Sequence, residues 1–150
     1  MCDQSIIIKL FDTVASVACD LFRGCCGSKY NYNYEGSTLN YVMKNKFITG
    51  GDVLISNSDG SKFINKIKEK HLNSLLHDRE GLITMDLSKS LTRFSITSGP
   101  AETLNGNSVV FGEIINGMEI IQSIADRYQD VDADGGARLT NIKIYSCGEK

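Results

Sequence analysis

The sequence lacks a charge excess, a long apolar run and any block of consecutive basic residues. Its formal net charge is -2, and the longest apolar run near the N-terminus, Ile6 to Ile8, is interrupted by Lys9. Without a basic tract there is no surface that would follow phosphates, which argues against nucleic-acid binding. The apolar run is too short for a secretion signal or a membrane span. We therefore expect a soluble, cytoplasmic protein that binds neither nucleic acid nor membrane.

Cysteine is present but not in a metal-binding pattern. The five cysteines form an odd set without C-x-x-C spacing, and His71 and His77 lie apart from them in the sequence. This spacing argues against a structural zinc site, and we expect no metal and no cofactor. The adjacent Cys25 and Cys26 could form a redox element, but free thiols near a helix end in a reducing compartment are favoured.

The length and composition are those of one globular domain. The chain has 150 residues, of which 41% are hydrophobic and 23% charged, so a single domain over residues 1–150 can bury its own core. The wealth of Ile, Asn and Lys is compatible with an AT-rich genome, such as that of a virus or a parasite.

Alternating apolar residues predict many short strands, and two segments have helical periodicity. The first helix covers residues 16–23, with Ser16 as its cap and Gly24 or Gly27 at its end. The second covers residues 116–128 and turns an apolar stripe to the core. The strands cover residues 5–11, 38–42, 46–48, 53–55, 81–85, 94–97, 109–115 and 141–147.

Two loops have alternative interpretations. The turn-rich residues 27–36 carry Tyr30, Tyr32 and Tyr34, and a loop with one tyrosine packed inward is favoured over a surface that stacks nucleobases. The acidic residues 130–137 resemble the start of a calcium loop, but the required Gly and closing Glu are misplaced, so a solvated turn is favoured.

Strand-rich patterning with one early and one late helix predicts a mainly β fold, a closed or nearly closed antiparallel barrel capped by two helices. Specific motifs sharpen this prediction. Residues 36–38 read G-S-T, and residues 47–52 end in G-G-D. They are followed by G-L-I-T-M at 81–85, F-S-I-T at 94–97, L-N-G at 104–106, V-V-F-G at 109–112 and N-G-M at 116–118. These motifs and their order resemble those of the cyclophilins, a family that isomerises X-Pro peptide bonds.

The resemblance implies a substrate groove in which most of the family's functional residues are replaced. Tyr41 stands at the position of the catalytic Arg, so no catalytic residue is expected there, and Arg93 stands where the family has Gln. Leu104 is the pocket residue that is kept. The remaining predicted groove residues are Lys46, Phe47, Ser95 and Ser108 at pocket-wall or floor positions, Thr49 and Thr103 at the Gln and Trp positions, and Asp86 and Leu87 in a shortened loop.

These replacements predict a protein- or peptide-binding module with little or no prolyl isomerase activity and with weak or no cyclosporin binding. The alternative is a weakly active isomerase that uses Arg93. The resemblance also implies that residues 5–11 match the family's second strand, which would leave unpaired edges near Ile6 to Leu10 and Ile142 to Tyr145. We expect these edges either to pair directly or to complete the barrel across a homodimer, which is slightly favoured.

Overall fold

The computed structural model describes residues 4–27, 33–51, 75–86, 93–127 and 136–148. Within these ranges the chain forms a seven-stranded sheet, two α-helices and one short 3-10 helix. Neither α-helix in this part of the chain is both long and apolar enough to cross a membrane. The elements are β1 (Ile7–Leu10), α1 (Ser16–Cys26), β2 (Thr38–Met43), β3 (Phe47–Gly50), β4 (Leu82–Asp86), β5 (Phe94–Thr97), the 3-10 helix (Glu102–Leu104), β6 (Ser108–Asn116), α2 (Met118–Arg127) and β7 (Gly136–Lys143).

The strands form one curled antiparallel sheet in the order β1-β6-β4-β5-β3-β2-β7. This arrangement, half of a barrel accompanied by two helices, confirms the predicted mainly β fold. β1 pairs with β6 and β7 pairs with β2, so these two strands lie at the two ends of the sheet. No ladder joins β1 directly to β7 among the residues that the structure describes.

The concave face of the sheet forms the core because successive side chains of a strand alternate between its two faces. Ile48, Ile83, Ile96 and Phe111 lie on this inner face, and each is at most 2% exposed. Burying a side chain of this size contributes about 1.5–3 kcal/mol, so the inner face carries much of the fold's stability.

Helix α1 covers one part of this core. Its buried residues include Leu21 and Phe22. The helix extends to Cys26, beyond the predicted residues 16–23, and of the two predicted ends, Gly24 and Gly27, it is Gly27 that is the C-cap residue. The predicted cap was wrong: Ala15 is the N-cap residue, and no side-chain hydrogen bond caps the helix. Ser16 is already the first helical residue. The start of the helix is instead tied to the end of β1, because the Ala15 N–H donates to the Phe11 carbonyl at 2.9 Å.

An aromatic cluster joins α1 to the sheet. The rings of Phe22, Tyr34, Phe94 and Phe111 pack with centroid separations of 5.1 to 5.4 Å. Tyr34 is 1% exposed, which confirms the prediction that the loop packs one tyrosine inward. Gly51 is required beside this cluster, because its φ is +76° and a Cβ atom would collide with the Phe94 ring.

Helix α2 turns its predicted apolar stripe to the same core. Ile121 and Ile124 are buried, and Met118 and Ile120 are partly buried against the core cluster. The prediction that this stripe packs internally is therefore confirmed.

The last strand begins earlier than the sequence predicts. β7 covers Gly136–Lys143, whereas strand 141–147 was expected after an acidic loop that extended to residue 137. The register runs from Thr38 opposite Lys143 to Met43 opposite Gly136. The backbone of β2 thus pairs with a Gly- and Ala-containing segment of low β propensity, since tertiary pairing overrides propensity. The predicted strand 53–55 and the predicted solvated turn at Asp130, Asp132 and Asp134 lie outside the described residues.

Candidate functional site

The convex face of the sheet carries a row of hydroxyl side chains across four strands. Tyr41 on β2 is opposite Thr49 on β3, Thr49 is opposite Ser95 on β5, and Ser95 is opposite Thr84 on β4. The residues next to them in each strand, such as Ile48 and Ile96, point into the core. Strand alternation therefore puts the four hydroxyl groups on the opposite face, and we call them the hydroxyl row.

Two members of the row are bonded to each other. The Oγ1 atom of Thr49 and the Oγ atom of Ser95 are 3.0 Å apart, and both residues are buried, at 4% and 8% exposure. Because hydroxyl groups both donate and accept, either residue can supply the proton of this bond. The centre of the row is thus a hydrogen-bonded polar pair rather than an apolar surface.

A buried histidine extends the row beyond the sheet. His77 is 0% exposed, and its Nε2 atom lies 2.8 Å from Thr84 Oγ1. Its Nδ1 atom lies 2.7 Å from Asn105 Oδ1, which also accepts the backbone N–H of His77 at 2.8 Å. Because the amide oxygen can only accept, Nδ1 carries the imidazole proton and Nε2 accepts the Thr84 hydroxyl proton.

Burial lowers the pKa of His77 from its ordinary value, while its hydrogen bond with Asn105 opposes this shift. The ring is therefore neutral at neutral pH, as its two hydrogen bonds require. Protonation would place a second N–H donor on Nε2, against the hydroxyl proton that Thr84 now donates. The two hydrogen bonds that link Thr84 to Asn105 through His77 therefore require the neutral form of the imidazole.

His77 also holds the 3-10 helix that borders the row. The Ala101 N–H donates to the His77 carbonyl at 2.9 Å, immediately before Glu102–Leu104. Within that helix Thr103 is exposed and Leu104 is half-buried. The sequence spacing bears on His77 only as a possible zinc ligand, and it does not predict that His77 bonds to Thr84 and to the start of the 3-10 helix. Asn105 is 28 residues away, and no local pattern links the two.

A second polar pair lies along the same face. Asp86 at the end of β4 is opposite Ser108 at the start of β6. Ser108 is 3% exposed, and its Oγ atom has no hydrogen-bond partner among the described residues. A buried hydroxyl without a partner costs free energy, so Ser108 is an energetically unfavourable polar position on this face.

Arg93 supplies a cation near the row. It immediately precedes β5 and is two residues from Ser95, so strand alternation directs both to the same face. Its side chain is half-buried, and its Nε atom has no hydrogen-bond partner in the part of the chain that the structure describes. Tyr41 is itself half-buried and makes further contacts.

The other predicted groove residues are less closely gathered. Phe47 begins β3 and is half-buried, whereas Lys46 precedes it in an exposed turn. Leu87 lies outside the described residues. The register thus brings Tyr41, Thr49 and Ser95 into one row and pairs Asp86 with Ser108 on the same face. Arg93 directly precedes β5, whereas Leu104 lies in the 3-10 helix.

The family comparison accounts for this arrangement of strands and helices. Residues 2–149 match the model of the cyclophilin-type peptidyl-prolyl cis-trans isomerase/CLD family. The chain belongs to the cyclophilin family. The resemblance deduced from the sequence motifs is therefore confirmed over nearly the whole chain.

Proteins similar in sequence to this chain differ widely in length. A peptidyl-prolyl cis-trans isomerase of Encephalitozoon cuniculi is 32% identical, with 95% of this chain and 84% of that protein covered. Peptidyl-prolyl cis-trans isomerase 9 of Caenorhabditis briggsae is 29% identical over 96% of this chain and 49% of that protein. The NK-tumor recognition protein of Mus musculus is 31% identical over 95% of this chain and 10% of that protein. This chain thus spans about half or less of the length of the Caenorhabditis briggsae and Mus musculus proteins, and most of the length of the Encephalitozoon cuniculi protein.

Proposed function

We propose that this cyclophilin is a cytoplasmic protein- or peptide-binding module with little or no prolyl isomerase activity. The observation that carries the proposal is the bonded pair of Thr49 and Ser95, 3.0 Å apart, at the centre of the convex face. By the family resemblance, Ser95 stands where a Phe ring forms the wall of the proline pocket. A Ser side chain in this place offers a proline ring much less apolar contact than a Phe ring does.

The second argument concerns the transition state. Rotation about an X-Pro bond has a barrier of about 20 kcal/mol, which falls when a donor stabilises the twisted amide. Tyr41 stands at the position of the family's Arg and presents one neutral hydroxyl group instead of a forked cation. Loss of one preorganised donor lowers rates by about 10²- to 10³-fold. The Phe-to-Ser replacement adds a loss of apolar contact of about 2 kcal/mol.

The proposal is tested by measuring isomerisation and binding in the same NMR titration of an X-Pro peptide library. Exchange cross-peaks should give a rate at least about 100-fold below that of an ordinary cyclophilin at equal concentration. Binding should shift the amide resonances of Thr49, Ser95 and Ser108. An ordinary rate would exclude the pseudoenzyme proposal, and the absence of shifts with any peptide or protein ligand would exclude a binding role for this face.

Cyclosporin provides an independent probe of the same surface. The positions by which the family binds it are occupied here by Tyr41, Lys46, Ser95 and Thr103. We therefore expect weak or no binding, and a submicromolar dissociation constant by calorimetry would contradict this.

Arg93 supports a second candidate, a weakly active isomerase. Its half-buried guanidinium lies two residues from Ser95, and its Nε atom has no acceptor among the described residues. A cation in this place could donate to a substrate carbonyl. If residual activity is found, Arg93→Ala should abolish it, and Arg93→Lys should retain part of it because the charge remains. Activity unchanged by either substitution would remove Arg93 from the mechanism.

The edges of the sheet support a homodimer as a further part of the proposal. β1 and β7 each have one ladder partner among the described strands. Exposed edge strands pair readily with other chains. Light scattering at tens of micromolar should therefore report a dimer. A strict monomer at this concentration would exclude it. The Ile144 amide cannot serve as an exchange probe of this edge, because its N–H donates to the Ser37 carbonyl at 2.8 Å within one chain.

A further inference from the structure

A group of cysteines lies away from the hydroxyl row, where the end of α1 meets the segment after β7. The Sγ atom of Cys147 donates to the backbone carbonyl of Cys26 at 3.5 Å and lies 3.6 Å from Asn33 Oδ1. The nearby Cys147 side chain also contributes to the raised pKa of the Cys26 thiol. Two cysteines that are 121 residues apart in sequence are therefore neighbours in the fold, with the Cys147 thiol packed on the Cys26 backbone.

The neighbouring cysteines have different surroundings. Cys25 is 0% exposed, and its thiol is hydrogen-bonded with the buried Tyr34 hydroxyl. Cys19 is also 0% exposed and donates to the Phe111 carbonyl at 3.3 Å. Cys26 and Cys147, in contrast, are only partly buried. Among the cysteines that the structure describes, this neighbouring pair alone consists of two residues that are only partly buried.

Access comes from a surface cavity next to Cys147. The cavity has a volume of about 510 Å³, and Asn33, which contacts Cys147, lines it together with Ile144 and Tyr145. It is large enough to admit a small reagent. The cavity is bordered by Glu35 and Lys143, so it carries one charge of each sign.

We propose that Cys26 and Cys147 are a modification site, a dithiol that low-molecular-weight disulfides such as oxidised glutathione convert into an intramolecular disulfide. Cys147, which lies beside the cavity-lining Asn33, attacks one sulfur of the reagent, forms a mixed disulfide and expels the first glutathione thiolate. Cys26 then attacks the Cys147 sulfur and expels the second. The two protons lost by the protein thiols go to the two glutathione thiolates, and the reagent is reduced as the protein is oxidised.

The surroundings set the rate of this exchange. Burial raises the pKa of both Cys26 and Cys147, so both are protonated at neutral pH. Since the thiolate is the nucleophile, exchange should be slow at neutral pH and should accelerate as the pH rises. The resulting bond would link α1 to the C-terminal segment and close a loop of more than a hundred residues. Cross-linking such a long loop lowers the conformational entropy of the unfolded chain and so stabilises the folded state.

The test is oxidation of the full chain with oxidised glutathione, followed by alkylation under denaturing conditions and peptide mapping. We expect the five free thiols of the reduced chain to fall to three, with Cys26 joined to Cys147. Cleavage after Arg23 and Lys29 leaves Cys25 and Cys26 in one peptide, so fragmentation spectra must identify the linked residue. The melting temperature should rise on oxidation and return to its original value with dithiothreitol.

Matched variants separate this pair from its neighbours. Cys25→Ser and Cys19→Ser should still form the link, whereas Cys26→Ser should stop at a mixed disulfide with glutathione on Cys147. A link from Cys25 to Cys147, a link between two chains, or a mixed disulfide alone in the unaltered protein would overturn the proposal. Because the unaltered protein provides the main result, a variant that fails to fold does not weaken the test.

Discussion

The two faces of the sheet differ in chemistry, although the residues that form them alternate along the same strands. On β3 and β5, Ile48 and Ile96 point inward, whereas Thr49 and Ser95 point outward and are bonded to each other. The inner face keeps the large apolar residues that a cyclophilin-like core needs. The outer face carries hydroxyl groups where the family resemblance implies an apolar pocket. One face of a sheet can thus keep the apolar residues of a fold while the other face carries polar groups.

The two faces also differ in how they are held together. Inner residues are stabilised by burial and ring packing, which depend weakly on direction. Outer residues such as Thr84 and His77 depend on hydrogen bonds with specified donors and acceptors. Substitutions on the inner face should therefore act through lost volume, and those on the outer face through unpaired polar groups.

The largest effect is expected from Phe111→Ala on the inner face. Phe111 is 0% exposed and packs on the Phe22 ring at a centroid distance of 5.1 Å. Its truncation should lower the free energy of unfolding by about 3–5 kcal/mol, because it removes apolar contacts and leaves a cavity. Urea denaturation measures this loss. A loss below about 1 kcal/mol would mean that the inner face is not the main source of stability.

His77→Ala should have the largest effect among the hydrogen-bonded residues beyond the outer face. It removes the partner of Thr84 and one of the two donors to Asn105 Oδ1, because the backbone N–H of residue 77 remains. Each buried polar group left unpaired costs about 1–3 kcal/mol. Urea denaturation should detect the loss of stability. The control is His71→Ala, the same substitution at the other histidine of the chain. Equal losses in both variants would contradict the role assigned to His77.

The pH dependence of stability should report the same histidine. Burial lowers the pKa of His77 from the ordinary 6.5, so the unfolded state binds the proton at a higher pH than the folded state. Stability is therefore complete above about pH 6.5 and falls as the pH decreases toward the folded-state pKa. The midpoint of urea denaturation should show this fall in the unaltered protein. His77→Gln should have a shallower dependence, and an identical slope would exclude His77 as its source.

The smallest effects are expected at Thr49 and Ser95, and their coupling is informative. Ser95→Ala leaves the buried Thr49 hydroxyl without its partner and should cost about 1 kcal/mol. Adding Thr49→Val replaces both polar groups and should recover part of this loss, because neither partner is then left unpaired. A double-mutant cycle by urea denaturation measures the coupling. Strictly additive losses would show that the 3.0 Å contact contributes no coupling energy.

Much of the fold could be predicted from the sequence because its signals are local. The strand at 94–97 coincides with β5, and the apolar stripe of Ile121 and Ile124 faces the core as its helical spacing implied. The predicted site is a different case. Sequence motifs named Tyr41 and Ser95 as altered positions, but the bond from Thr49 to Ser95 spans 46 residues and has no local signature.

The sequence by itself determined the inner face and the kind of barrel, because alternation of apolar residues along each strand leaves few ways to bury them. Only the tertiary structure decided which polar groups meet. It set the start of β7 at Gly136 through pairing with Met43, made His77 the link between Thr84 and Asn105, and brought Cys26 to Cys147 across 121 residues. The reason is that a hydrogen bond or a thiol contact requires ångström-scale placement of two groups, whereas burial requires only that apolar residues recur with the right period.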